Sequence, residues 1–79
     1  MKFEEKLMKL RKEKGWSQEE LAEKLNVTRQ TISKWELGQT VPDMYNLTKI
    51  AEVFGTTVSE LYYEKENKIL VFGRKFILK

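Results

Sequence analysis

Residues 17–36 constrain the fold of this chain more than any other stretch, because they predict two short helices joined by a tight turn. Ser17 followed by Glu20 forms a capping box, which marks the start of a helix. Asn26 tolerates the left-handed backbone that ends a helix, and Thr28 is a good N-cap for the next one. Start and stop signals this close together predict two helices that meet at a fixed turn.

The helix that begins after Thr28 has two chemically distinct sides. On a helical wheel with about 100° per residue, Ile32 and Trp35 point inward together with Thr28. The outer face carries four donor-rich side chains: Arg29, Gln30, Ser33 and Lys34. Arginine and lysine suit guanine edges in the major groove of DNA, and glutamine suits adenine. This face is therefore predicted to read base edges, the alternative being an ordinary solvated polar surface.

Further helices are predicted on both sides of this pair. Residues 3–14 carry an apolar stripe that ends at Gly15, and Asp43 caps a fourth helix that Gly55 ends. Thr56 or Thr57 caps a short fifth helix. The predicted fold is all-α, with a five-helix domain over residues 1–63 followed by a linker and tail over 64–79.

Composition excludes several classes of function. The 79 residues include no cysteine and no histidine, which removes disulfides, thiol nucleophiles and the usual zinc ligands. Because the chain also lacks a glycine-rich phosphate loop, we expect neither an enzyme nor a cofactor. No apolar run approaches the ~20 residues that a bilayer needs, and the first residues lack a signal-peptide core. We therefore expect a cytoplasmic protein with no membrane partner and no evident small-molecule ligand.

Positive charge indicates a polyanionic partner only on the part of the chain where basic residues are concentrated. The formal net charge is +3, which alone says little. No acidic residue lies between Glu23 and Glu36, whereas Lys24, Arg29 and Lys34 are basic. The outer face of the third helix is thus locally cationic, which favours contact with nucleic acid.

The last sixteen residues differ in character from the rest. A polar stretch over residues 64–68 precedes two apolar runs that flank Gly73 and Arg74, a pattern that favours a β-hairpin or single strand over a terminal helix. Such a hairpin is only marginally stable alone, so we expect it to pair with a second copy of the chain. The residues predicted to form the dimer contact are Ile69, Leu70, Val71, Phe72, Phe76, Ile77 and Leu78.

Taken together, these motifs resemble the phage repressor and Cro (XRE-type) family over roughly residues 5–62. The resemblance is carried by the run from Ser17 to Ala22, the turn at residues 26–28, residues 32–36, Gly38 and Pro42, and the apolar spacing Leu47, Ile50, Ala51. It implies a five-helix, repressor-like domain that binds operator DNA, usually as a symmetric dimer.

The resemblance also implies roles for individual residues. Base contacts and adjacent phosphate contacts would come from Thr28, Arg29, Gln30, Ser33 and Lys34. Phosphate contacts would come from Gln18, Thr31, Gln39, Thr40, Tyr45 and Asn46, with Gln18 in some members also supporting a base-reading residue. Arg11 and Glu36 match a pair that ties the first helix to the third. Asp43 departs from the pattern in charge, so it is expected to act as a cap rather than to contact DNA.

Two functions fit this sequence. The first is a dimeric transcriptional regulator, a repressor, that reads a palindromic operator through its third helix. The alternative is an antitoxin-like or adaptor module whose tail binds another protein. The apolar tail separates them, because pairing with a second copy indicates the first and exposure in the purified protein indicates the second.

Overall fold

The computed structural model describes residues 1–62, which form five α-helices. In chain order these are α1 (Phe3–Glu13), α2 (Gln18–Leu25), α3 (Arg29–Glu36), α4 (Met44–Phe54) and α5 (Val58–Tyr62). The all-helical prediction is confirmed for this part of the chain. The predicted hairpin or strand and its dimer contact fall on residues 69–78, outside the described residues.

Side-chain caps fix where the helices begin. Ser17 Oγ accepts from the Glu20 N–H at 3.0 Å, and Glu20 Oε1 accepts from the Ser17 N–H at 2.8 Å. These two bonds are the predicted capping box, and they satisfy amide groups that have no partner within α2. Asp43 caps α4 in the same way by accepting from the Asn46 N–H at 2.9 Å. Thr57, one of two predicted candidates, caps α5 through the Glu60 N–H.

Left-handed residues fix where α2 and α3 end. Asn26 has a φ of 59°, as its residue type predicted, and the next N–H, that of Val27, bonds back to the Ala22 carbonyl at 3.0 Å. Gly38 has a φ of 75° and reverses the chain after α3, where a β-carbon would be strained. The turn after Asn26 sets the angle between α2 and α3, and the reversal at Gly38 directs the chain toward α4.

One apolar core holds the five helices together. Every helix contributes to it, and α2 packs on α3 and α4 while α1 packs on α3 and α5. Its buried members are Phe3, Leu7, Leu21, Ala22, Leu25, Ile32, Trp35, Leu47, Ile50, Ala51 and Leu61. Because α3 buries Ile32 and Trp35 in this core, the rotation of α3 about its own axis is fixed.

Candidate nucleic-acid interface

The outer face of α3 is the polar surface that the sequence predicted. Arg29, Gln30 and Lys34 are exposed, and Ser33 is half-buried beside them. On the opposite side, Ile32 is fully buried and Trp35 is 4% exposed. The apolar side of α3 therefore anchors the helix, and four donor-rich side chains face away from the core.

Thr28 lies elsewhere than the helical wheel predicted. The wheel placed it on the inner side with Ile32 and Trp35, whereas its side chain is exposed. As the N-cap, Thr28 has an extended backbone, with φ −86° and ψ 157°, so a 100° increment does not apply to it. Its hydroxyl accepts from the Thr31 N–H at 3.2 Å and lies 2.9 Å from the Thr31 hydroxyl. Both threonines thus lie at the N-terminal end of the outer face.

A buried ion pair ties α3 to α1. Arg11 Nε donates to Glu36 Oε2 at 2.6 Å, and Arg11 Nη2 donates to Glu36 Oε1 at 3.0 Å. The Glu36 side chain is 1% exposed and that of Arg11 is 11% exposed. Arg11 Nη1 also donates to the Trp16 carbonyl at 2.9 Å, which joins the loop after α1 to the same group. This bidentate geometry fixes the C-terminal end of α3.

Gln18 connects this ion pair to the outer face of α3. Its Nε2 donates to Glu36 Oε1 at 3.0 Å, and its Oε1 accepts from Arg29 Nη1 at 3.4 Å. A carboxylate can only accept hydrogen bonds, so Glu36 requires the Gln18 amide to present its NH₂ inward and its oxygen outward. Gln18 therefore lies against a predicted base-reading residue as well as at the start of α2.

The chain after α3 returns to the same surface. The Gln39 N–H bonds to the Lys34 carbonyl at 2.9 Å, and the Gly38 N–H bonds to the Trp35 carbonyl at 3.1 Å. These two bonds form a Schellman motif, which folds the residues after Gly38 back on the last turn of α3. A surface concavity of about 320 Å³ lies here, lined by Arg29, Gln30, Ser33, Lys34 and Gln39.

The start of α4 presents the remaining predicted phosphate contacts. Thr40 and Tyr45 are exposed and Asn46 is half-buried. Lys49 Nζ lies 5.4 Å from the centre of the Tyr45 ring and donates to the Leu25 carbonyl at 3.1 Å. Sequence reasoning missed Lys49, which brings a cation to this end of α4 and satisfies a carbonyl at the end of α2.

Residues 1–62 contain neither a helix that could span a membrane nor a cluster of metal ligands. No helix in this range is both long and apolar enough to cross a membrane. The same range holds no group of three or more His, Cys, Asp or Glu side chains placed to bind a metal ion.

A short helix pair with an anchored second helix, inside a five-helix core, has the architecture of a helix-turn-helix domain. The Helix-turn-helix family model HTH_3 matches residues 7–61, and the chain belongs to this family. The sequence resemblance to XRE-type regulators is therefore confirmed.

Named relatives in this family are transcriptional regulators. The chain is 47% identical over 66 residues to the HTH-type transcriptional activator BcrR of Enterococcus faecalis, an alignment that covers 84% of this chain and 32% of BcrR. It is 33% identical over 80 residues to the cryptic phage CTXphi transcriptional repressor RstR of Vibrio cholerae, covering 98% of this chain and 71% of RstR. The chain thus spans about a third of BcrR.

A solved structure shares the fold. It is a transcriptional regulator from Listeria innocua, with a TM-score of 0.74 and 30% sequence identity. The match covers 92% of this chain and 64% of the Listeria chain. The helical architecture is therefore that of a known regulator.

Proposed function

We propose that this protein is a sequence-specific, double-stranded-DNA-binding transcriptional regulator that reads its site through α3. The observation that carries the proposal is the outer face of α3, where four donor-rich side chains project from a helix anchored by buried residues. The reading residues are Thr28, Arg29, Gln30, Ser33 and Lys34. The major groove, about 12 Å wide, admits an α-helix, and its base edges offer acceptors that these side chains match.

The electrostatics of α3 support this proposal. The first turn of α3 has no acidic side chain, and Glu36, its only acidic residue, is buried and paired with Arg11. Arg29 and Lys34 therefore face solvent without a carboxylate on their own helix to offset them. A locally positive helix surface attracts the phosphate backbone before any base is read.

Polar groups on neighbouring elements would set the register on the duplex. We assign phosphate contacts to Gln18, Thr31, Thr40, Tyr45 and Asn46. Gln18 lies in the first turn of α2, where the N-terminal end of the helix favours an anion, and Asn46 lies in the first turn of α4 beside the cap Asp43. Such contacts position the protein without carrying sequence information.

The proposed form on DNA is a homodimer on a palindromic operator. Two-fold symmetry would place the two copies of α3 about 34 Å apart, one turn of B-DNA. We further propose repression as the outcome, because occupancy of an operator is enough to block transcription. Activation, the role that BcrR's name states, is the alternative outcome.

Selection of bound sites from random duplexes tests the reading role of α3. Gln30→Ala and Lys34→Ala should each relax one operator position, because a lost bidentate base contact costs about 1–3 kcal/mol. Thr40→Ala is the control, and it should weaken all duplexes alike and leave the salt dependence unchanged, since no charge is removed. If both α3 variants keep the wild-type consensus, α3 is not the reader.

A further inference from the structure

Gln39 lies beside the proposed base-reading residues Gln30 and Lys34, on what is called here the reading surface, although it is outside α3. The reversal at Gly38 and the bond from the Gln39 N–H to the Lys34 carbonyl hold its backbone against the last turn of the helix. Its side chain then lines the same concavity as Gln30 and Lys34. The Schellman motif thus extends the polar surface of α3 beyond the end of the helix.

The side chains around this concavity differ in how they are bonded. Arg29 is held by Gln18. Within residues 1–62, by contrast, the side chains of Gln30, Ser33, Lys34 and Gln39 have no hydrogen bond or ion pair to the protein. Polar groups that converge on one concavity without internal partners are hydrogen-bonded to water, which a ligand with matching donors and acceptors can displace.

Building on the proposed function, we infer that Gln39 is a further specificity-determining residue that contacts a base edge. A glutamine side chain presents an NH₂ donor group beside a carbonyl acceptor, which matches the N7 and N6 groups of adenine. A phosphate offers acceptors only and would use half of that capacity. The resemblance to the phage repressor family places Gln39 among the backbone contacts, whereas the concavity joins it to Gln30 and Lys34.

The test is an affinity panel with the full-length protein. After selection of the wild-type site, equilibrium binding is measured for duplexes in which each base pair is replaced in turn. Gln39→Ala should lose its preference at one base pair of each half-site, where the wild type discriminates about 5- to 150-fold. Preferences at the other positions should remain. Thr40→Ala, one residue further along the chain, is the matched control and should weaken all duplexes by one common factor.

A second variant distinguishes base reading from a phosphate contact. Gln39→Glu replaces the amide by an acceptor-only group, which suits the cytosine amino group and should shift the preference at that base pair. Uniform weakening of every duplex by Gln39→Glu, or uniform weakening by Gln39→Ala, would overturn the inference. If Gln30→Ala and Lys34→Ala change the consensus while Gln39→Ala does not, the inference about Gln39 alone is wrong. If none of the three changes it, the proposed function fails as well.

Discussion

Glu36 is the one buried charged side chain among residues 1–62, and its partners make that burial tolerable. It accepts two hydrogen bonds from Arg11 and one from Gln18. A buried carboxylate without such donors would be costly, whereas here both oxygens are satisfied. The ion pair therefore holds α1 against α3 and also orients the amide of Gln18.

Arg11→Ala should lower stability strongly. The substitution leaves Glu36 buried with Gln18 as its remaining side-chain donor. Breaking a buried ion pair in this way lowers the free energy of unfolding by on the order of 3–5 kcal/mol. In a domain of this size that corresponds to a fall in melting temperature of more than about 10 °C. Thermal unfolding followed by circular dichroism measures it. DNA affinity of the folded fraction should change less than stability does.

Lys9→Ala is the matched control for Arg11→Ala. Lys9 and Glu13 form an ion pair on the same helix at 4.0 Å, with both side chains more than half exposed. An exposed i,i+4 pair contributes about 0.3–0.5 kcal/mol, so this variant should melt close to wild type. Equal melting temperatures for Arg11→Ala and Lys9→Ala would show that the buried pair does not stabilise the fold.

At the scale of elements, the chain reversals that follow helices determine which segment comes to lie on the predicted DNA-binding surface. Gly15, after α1, and Gly38, after α3, have the same φ of 75°. The reversal at Gly15 leads into α2, whereas the reversal at Gly38 holds Gln39 on the reading surface. The two glycines thus have the same backbone conformation, but only Gly38 directs the chain onto the proposed DNA-binding surface.

Gly38→Ala and Gly15→Ala should therefore both lower the stability of the fold but differ in their effect on DNA affinity. Each places a β-carbon in the left-handed region, at a cost of about 1–2 kcal/mol. At position 38 the added carbon would also lie 3.0 Å from Glu4 Oε2, the end of a flexible side chain, while at position 15 it meets nothing within 4 Å. Both variants should melt lower, but only Gly38→Ala should lose DNA affinity when binding is compared where both are folded. Equal affinities would mean that this reversal does not shape the interface.

Helix boundaries were predictable from sequence because their signals are local. The capping box at Ser17, the left-handed Asn26 and the cap at Asp43 each depend on residues within one turn. Contacts between elements were not predictable from such local signals, although the family resemblance implied one of them, the Arg11–Glu36 pair. Trp16 packs on Phe54 with ring centres 5.5 Å apart, and Lys49 reaches the end of α2, across 38 and 24 residues of chain. The resemblance implied that Gln18 can support a base-reading residue, but the atoms of the Gln18 bridge depend on the relative placement of α2 and α3.

At the scale of the whole molecule, the described residues form one core to which all five helices contribute. The two apolar runs within residues 69–78 come after this domain in the chain. Because an isolated hairpin is only marginally stable, we expect this segment to serve association between copies. A contact of this kind would stabilise the two-fold arrangement proposed on DNA.

Deleting residues 68–79 should convert a dimer into a monomer or weaken the dimer. The physical reason is loss of the apolar side chains at positions 69–72 and 76–78, which are expected to be buried against a second copy. Sedimentation equilibrium over a range of concentrations measures the mass. Lys65→Ala, in the polar stretch before these residues, is the control and should remain dimeric. An unchanged dimer after deletion, or a monomeric wild type, would rule out this role.

The unbonded side chains around the concavity have a consequence for how such proteins diversify. The side chains of Gln30, Ser33, Lys34 and Gln39 make no hydrogen bond or ion pair within residues 1–62. Exchange for residues other than glycine or proline should therefore change unfolding free energy by less than about 0.5 kcal/mol at the exposed positions 30, 34 and 39. Mutational drift on this surface is therefore nearly free of folding constraints, unlike change at Glu36 or Gln18. Descendants of one such gene could acquire new binding sites through these four positions while the scaffold stays the same.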